Sequence, residues 1–182
     1  MEGGPLRLVV FCGLPGAGKS AAAGALARAT GWPVLGVDPA EAALVRAGIE
    51  QHRQPTGLAA YTVVEALAEA QLRAGITVIV DAVNDVAEAR GQWIRLADRT
   101  GAALEWFEVV CSDPTVHRMR LQQRRREEDP LIGAPTWESL NRRRRQLALW
   151  KDGRVVLDSR HASPDELAAR ALRALTTAAP SL

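Results

Sequence analysis

The sequence predicts an α/β domain built on a phosphate-binding loop, and three observations carry that prediction. The octapeptide Gly13-Leu14-Pro15-Gly16-Ala17-Gly18-Lys19-Ser20 fits G-x-x-x-x-G-K-[ST] at every fixed position. It stands between Leu6–Cys12, which reads as a buried strand, and the alanine-rich run Ala21–Thr30, closed by Gly31 as a helix stop. Further helix and strand patterns alternate to the end of the chain.

The loop's chemistry follows from its residue types. A triphosphate must be wrapped by donors without steric obstruction, and Gly13, Gly16 and Gly18 let the backbone turn its N–H groups toward an anion at a helix N-terminus. Lys19 adds a full positive charge for the β- and γ-phosphates, and the Ser20 hydroxyl is placed to ligate a magnesium ion bridging them. Gly13, Pro15, Gly16, Ala17, Gly18, Lys19 and Ser20 are therefore the candidate nucleotide-binding residues.

Composition bounds the rest. The 182 residues, 47% hydrophobic, suit one domain with a sizeable core. The apolar runs are shorter than the roughly 18 residues of a membrane span, and Met1–Pro5 lacks a basic-then-apolar leader pattern, so a cytoplasmic location is expected. Cys12 and Cys111 end two apolar strands and are expected as reduced, buried thiols. A net charge of +2 is too small to argue for nucleic acid, yet the nine arginines between Arg118 and Arg145 against Glu127, Glu128, Asp129 and Glu138 make one region basic.

Along the chain, Trp32–Asp38 reads as a short strand ending on a carboxylate. In open α/β sheets ligands sit at the carboxyl ends of strands, which makes Asp38 a candidate catalytic residue, although Asp before Pro39 is also a common helix cap. Residues 40–48 read as a short helix, Gln51–Gly57 as a polar, acceptor-facing loop, and a helix opening at Thr56 or Gly57 runs to Gly75 with Tyr61 as a packing residue. Ile76–Asp81 is the clearest buried strand, and its terminal Asp81 suits a role in orienting magnesium. Asp85–Thr100 is an amphipathic helix carrying Arg90, which could face either the site or solvent, and Leu104–Cys111 is the next strand.

Asp113-Pro114 opens a helix on which Arg120 and Arg124 share one face, placed to reach phosphates from above. A second helix restarts at Thr136-Trp137-Glu138. The four consecutive residues Arg142–Arg145 step about 100° each and cannot share a face, which weakens a nucleic-acid reading of that run; Trp137 and Trp150 are expected to pack. Arg154–Asp158 is a last strand, His161 a surface residue beyond it, and Ser163-Pro164-Asp165-Glu166 a capping box opening the closing helix.

Taken together, Gly13–Ser20, Val37-Asp38, Val78–Asn84, Val110–Pro114, Arg120 with Arg124, Thr136–Glu138 and Val155–Asp158 resemble P-loop kinase-like proteins of the AAA type, related to polynucleotide kinase, zeta toxin and chloramphenicol phosphotransferase. The resemblance runs nearly end to end. It implies a three-layer α/β/α sandwich on a five-stranded parallel sheet, nucleotide-kinase-like, one domain over 1–182 with a helical arginine-rich lid over 114–150.

It further implies ATP with Mg2+ and transfer of the γ-phosphate to a hydroxyl, with Asp38 as general base, Lys19, Arg120 and Arg124 on the phosphates, and Ser20 and Asp81 at the metal. Polynucleotide kinases show Ser-x-Asp-x-x-Arg where this chain has Gly36, Asp38 and Glu41, which favours a small-molecule or nucleotide-like acceptor over a nucleic-acid 5′-hydroxyl. The chain has no Asn-Lys-x-Asp guanine-reading motif, which favours ATP. A nucleotide-dependent regulatory module without a kinase acceptor is the alternative from another class.

Overall fold

The structure is a computed structural model that describes residues 5–49, 55–127, 135–151 and 153–177. Five strands form one sheet in the order β2-β3-β1-β4-β5. These are β1 (Arg7–Cys12), β2 (Val34–Gly36), β3 (Val78–Asp81), β4 (Ala103–Val110) and β5 (Val155–Asp158), and every pairing is parallel. Parallel strands need crossovers, which the helices supply: α1 (Lys19–Thr30), α2 (Val37–Arg46), α3 (Thr56–Arg73), α4 (Ala87–Thr100), α5 (Pro114–Glu127), α6 (Trp137–Ala148) and α7 (Pro164–Thr177). Among the described residues no helix is long and apolar enough to cross a membrane.

The central strand explains the three layers. β1 is buried along its whole length, so both of its faces must be covered, and its side chains divide by the period of two. Leu8, Val10 and Cys12 join Ala60, Val64, Leu72, Trp93 and Leu96 of α3 and α4 on one face. Val9 and Phe11 join Ala22, Leu26, Leu167 and Ala171 of α1 and α7 on the other. Cys12 and Cys111 are free thiols, Cys12 buried and Cys111 half-buried; burial, with Glu108 as the lesser cause, pushes the Cys12 thiol well up.

The helix signals act largely as read. Asp113 Oδ1 accepts from the N–H groups of Thr115 and Val116, which holds its carboxyl below the usual range. Ser163 and Glu166 exchange bonds as a capping box, Ser163 N–H to Glu166 Oε2 at 2.7 Å and Glu166 N–H to Ser163 Oγ at 3.3 Å.

Several expected boundaries move, two of them beside the site. The second strand ends at Gly36, and Asp38 is the second residue of α2 rather than the last of a strand; Gly36, in extended backbone, stands at the N-cap in its place. A Cβ on Gly36 would lie 2.9 Å from Pro39 Cδ, so the proline ring folding back on the helix start takes the space of a side chain there. The fourth helix opens at Ala87, behind a turn in which Asn84 takes φ of 56°.

Candidate active site

The phosphate loop is shaped by its surroundings as much as by its glycines. Gly13 has φ of 134°, and a Cβ there would run into the carbonyl oxygen of Val109 on β4, so a side chain is excluded both by backbone conformation and by space. Beyond it the loop is pinned at two carbonyls. His117 Nε2 donates to Pro15 O at 2.8 Å, and Ser159 Oγ donates to Ala17 O at 2.7 Å. A peptide plane points its C=O and N–H in opposite directions, so fixing these oxygens also fixes the N–H groups of Gly16 and Gly18. Gly16, Gly18, Lys19, Ser20, Ala21 and Arg120 line a depression of about 310 Å3 at the N-terminus of α1, the geometry of an anion site.

Lys19 is buried, and its ammonium faces two carboxylates. Nζ lies 3.7 Å from Asp38 Oδ2 and 3.7 Å from Asp81 Oδ1. Three residues from three elements thus meet: the first residue of α1, the first turn of α2 and the last residue of β3. Register explains the meeting, because Gly36 pairs with Asp81 and Asp81 with Phe11, so the three strand ends lie side by side. Asp81 Oδ1 is buried and has no hydrogen-bond donor among the described residues. A hard oxygen held without a donor, near the exposed Ser20 at the first turn of α1, fits a magnesium ion or its water shell.

Beside the carboxylates, the turn after β3 is held from three directions. Trp93 Nε1 donates to Asn84 Oδ1 at 2.9 Å, Asn84 N–H donates to the Tyr61 hydroxyl at 3.2 Å, and Arg90 Nη1 donates to the carbonyls of Asn84 and Asp85 at 3.1 Å each. Tyr61 therefore does more than pack; burial raises its hydroxyl's pKa, so it remains protonated at neutral pH. Arg90 is half-buried and also covers the ring of Trp150 at 4.8 Å. Glu41, standing where an arginine occurs in polynucleotide kinases, accepts from the buried Thr56 hydroxyl at 2.8 Å and so joins α2 to the start of α3.

The two helices over the loop are anchored by α5. His117 and Arg120 lie one turn apart on it, and Arg120 donates to Ser159 Oγ at 2.8 Å and Ser159 O at 3.0 Å. Burial lowers the His117 pKa; the bond to Pro15 opposes it, and Arg144 and Arg120 add to it. The ring is thus neutral at pH 7 and carries its proton on Nε2, the atom that must donate to a carbonyl. Leu140 and Leu147 of α6 are buried in the core, and Trp150 packs edge-on against Trp106 at 4.9 Å, so Trp150 has no face to offer a base. Trp137 lies against His117 and under Arg118 and Arg144. Of the arginine run, Arg143 approaches Asp85 at 3.7 Å while Arg142, Arg144 and Arg145 are exposed, the division that the helical step requires.

Lys19, Asp38, Asp81, Ser20 and Arg120 are thus brought to one region. The side chain of Arg124 and residues 50–54 of the polar loop lie outside the described residues, and His161 is exposed. His117 and Ser159 escaped sequence reading, because a histidine inside a helical arginine run and a serine after a strand carry no motif of their own.

A profile of the AAA domain family matches residues 8–147, from the first strand through α6. The chain belongs to this family. Among curated proteins nothing matches it. Solved structures share its fold over nearly the whole chain. A putative kinase from Chloroflexus aurantiacus superposes with a TM-score of 0.75 at 18% identity, covering 96% of this chain and 98% of its own. A sugar kinase from Janibacter gives 0.64 at 22% identity, covering 96% of each. The APS kinase of Mycobacterium tuberculosis, solved with AMPPNP and APS, gives 0.65 at 18%, covering 96% and 99%. The AAA family and the P-loop kinase fold are thereby established.

Proposed function

We propose that this protein is an ATP-dependent kinase that passes the γ-phosphate of ATP to a hydroxyl of a small-molecule or nucleotide-like acceptor. The observation that carries this reading is the position of Lys19 Nζ, 3.7 Å from Asp38 and 3.7 Å from Asp81. A cation for the phosphates, a carboxylate for the acceptor and a carboxylate for the metal stand around one point. The kinase neighbours support the same reading at the level of the fold.

In this mechanism the N–H groups of Gly16 and Gly18 and the Lys19 ammonium bind the β- and γ-phosphates. Arg120, and with it Arg124, offsets the charge that gathers on the transferred and leaving oxygens. Asp38 orients the acceptor hydroxyl and takes its proton as the O–P bond forms and the bond to the β-phosphate oxygen breaks. Ser20 and Asp81 would hold Mg2+, which supplies charge neutralisation between the phosphates when bound. Phosphoryl transfer needs positioning and electrostatics rather than covalent help from the protein.

The test is transfer of labelled γ-phosphate from MgATP across nucleosides, sugars, aminocyclitols and 5′-hydroxyl oligonucleotides, with Asp38→Ala alongside. One acceptor should be labelled, and Asp38→Ala should lose about 10²- to 10⁴-fold in transfer while binding MgAMPPNP as before. Unchanged transfer in the variant would sink the base assignment. Release of free phosphate alone, equal in both proteins, would replace the kinase by a nucleotide-dependent regulatory module.

A further inference from the structure

Ser159 belongs to no motif and does not line the phosphate depression, yet its hydroxyl and carbonyl are tied to residues that shape it. It is 3% exposed. Its N–H donates to Val110 O at 2.8 Å, which fixes the residue on the end of β4. Its hydroxyl proton goes to Ala17 O at 2.7 Å, and the same oxygen accepts from Arg120 Nη1 at 2.8 Å; its carbonyl accepts from Arg120 Nη2 at 3.0 Å. A hydroxyl has one proton to give, so these partners leave its rotor a single orientation.

We propose that Ser159 is the positioning residue that couples Arg120 of α5 to the phosphate loop, setting the arginine at the phosphate depression before a nucleotide arrives. The geometry does this in two ways. A bidentate grip on one edge of a planar guanidinium fixes its plane as well as its position. Two of its five N–H groups are spent on Ser159, and the remainder stay available for the depression that Arg120 itself lines. The bond to Ala17 O meanwhile orients the Gly18 peptide, so one hydroxyl sets an anion-binding N–H and the arginine opposite it. A Cβ on Gly18 would make only ordinary contact with Ser159 Cβ, 3.5 Å away, so it is the backbone φ of 97° that calls for glycine there.

Preorganisation of this kind raises affinity by removing the cost of ordering a long side chain on binding. Ser159 acts on the nucleotide through Arg120 and through the Gly18 peptide, and never touches it. The inference rests on the nucleotide-binding part of the proposed function and is independent of the acceptor.

A double-mutant cycle decides it, with MgAMPPNP affinity read by calorimetry on wild type, Ser159→Ala, Arg120→Ala and the double variant. Ser159→Ala and Arg120→Ala should each weaken binding about tenfold, and the double variant by less than the product of the two losses. Ser159→Thr, which keeps the hydroxyl, should bind within about threefold of wild type. Losses that multiply in the double variant would reduce Ser159 to a support for the loop and overturn the coupling, as would full affinity in Ser159→Ala. Should Ser159→Ala not fold, Ser159→Cys, near in volume and a poor donor, takes its place in the cycle with the same expectations. A wild-type protein that fails to bind MgAMPPNP would instead overturn the nucleotide reading, and the inference with it.

Discussion

On one side of Lys19 lies a loop fixed by its backbone, and on the other a group of carboxyl and amide side chains fixed by their neighbours. The loop side has its peptide planes set: the carbonyls of Pro15 and Ala17 are bound by His117 and Ser159, and Gly13 sits against the backbone of β4. The carboxylate side holds polar capacity in reserve. Asp81 Oδ1 and Asn84 Nδ2 are buried with no hydrogen-bond partner among the described residues, against His117 Nδ1 on the loop side, and Asp38 is 39% exposed at its side chain. Buried polar atoms without a hydrogen bond cost stability, so a fold that keeps them where ligands gather is arranged for binding rather than for its own rest state. A phosphate chain is the same in every triphosphate and can be met by rigid backbone. Whatever meets the carboxylates is met by side chains, which vary.

The comparison breaks first at Gly13. Gly13→Ala adds one methyl group against the Val109 carbonyl in a backbone region that alanine rarely adopts. The expected cost is about 4 kcal/mol or more, in the range reserved for backbone collisions and buried strain, with loss of MgAMPPNP binding. Urea denaturation beside calorimetry checks it. A well-folded variant that binds nucleotide would mean that the loop is less rigidly set than its contacts imply.

The carboxylate side should respond less. Trp93→Phe removes the N–H that Asn84 Oδ1 accepts and leaves a small void, both fully buried. The expected loss is about 3 kcal/mol, or a fall in Tm of roughly 10 °C for a domain of this size. MgAMPPNP affinity should hold within about threefold, because the change lies across Lys19 from the loop. Equal damage to nucleotide binding from Trp93→Phe and Gly13→Ala would erase the distinction between the two sides.

The same contrast governs what could be read from sequence. The loop, its flanking strand and helix, Asp81 at a strand end and the caps at Asp113 and Ser163 were all legible, because each is a local pattern with a local cause. Asp38 was legible as emerging beside the phosphate loop, where it lies 3.7 Å from Lys19 Nζ, but not as a helical residue. The strand stops at Gly36 because Pro39 packs back over it, a contact that periodicity does not encode. His117 and Ser159 were illegible, since each acts across a large sequence separation, 102 residues from His117 to Pro15 and 142 from Ser159 to Ala17. Such pairs follow from strand order, and no motif in this chain states that β4 lies beside β1.

The smallest effect comes from a cluster remote from both sides. Glu69 on α3 accepts from Arg99 of α4 and Arg73 of its own helix, with Arg99 also reaching Glu65. Hydrogen bonds from Arg99 first and Arg73 second hold its carboxyl down to about 2 from the ordinary 4.5. A carboxylate whose pKa is lower in the folded chain stabilises the fold when ionised, fully so above pH 4.5. As pH falls from 4.5 toward 2, the unfolded chain takes up the proton before the folded one does, and the contribution drains away. Glu69→Gln should therefore lower Tm by a degree or two at pH 7, the scale of exposed ion pairs, and the gap to wild type should narrow through that acid window. MgAMPPNP affinity should not change at all. A gap independent of pH would trace the Glu69 effect to packing between α3 and α4, and altered nucleotide binding would mean that this helix pair communicates with Lys19 through Tyr61 and Asn84.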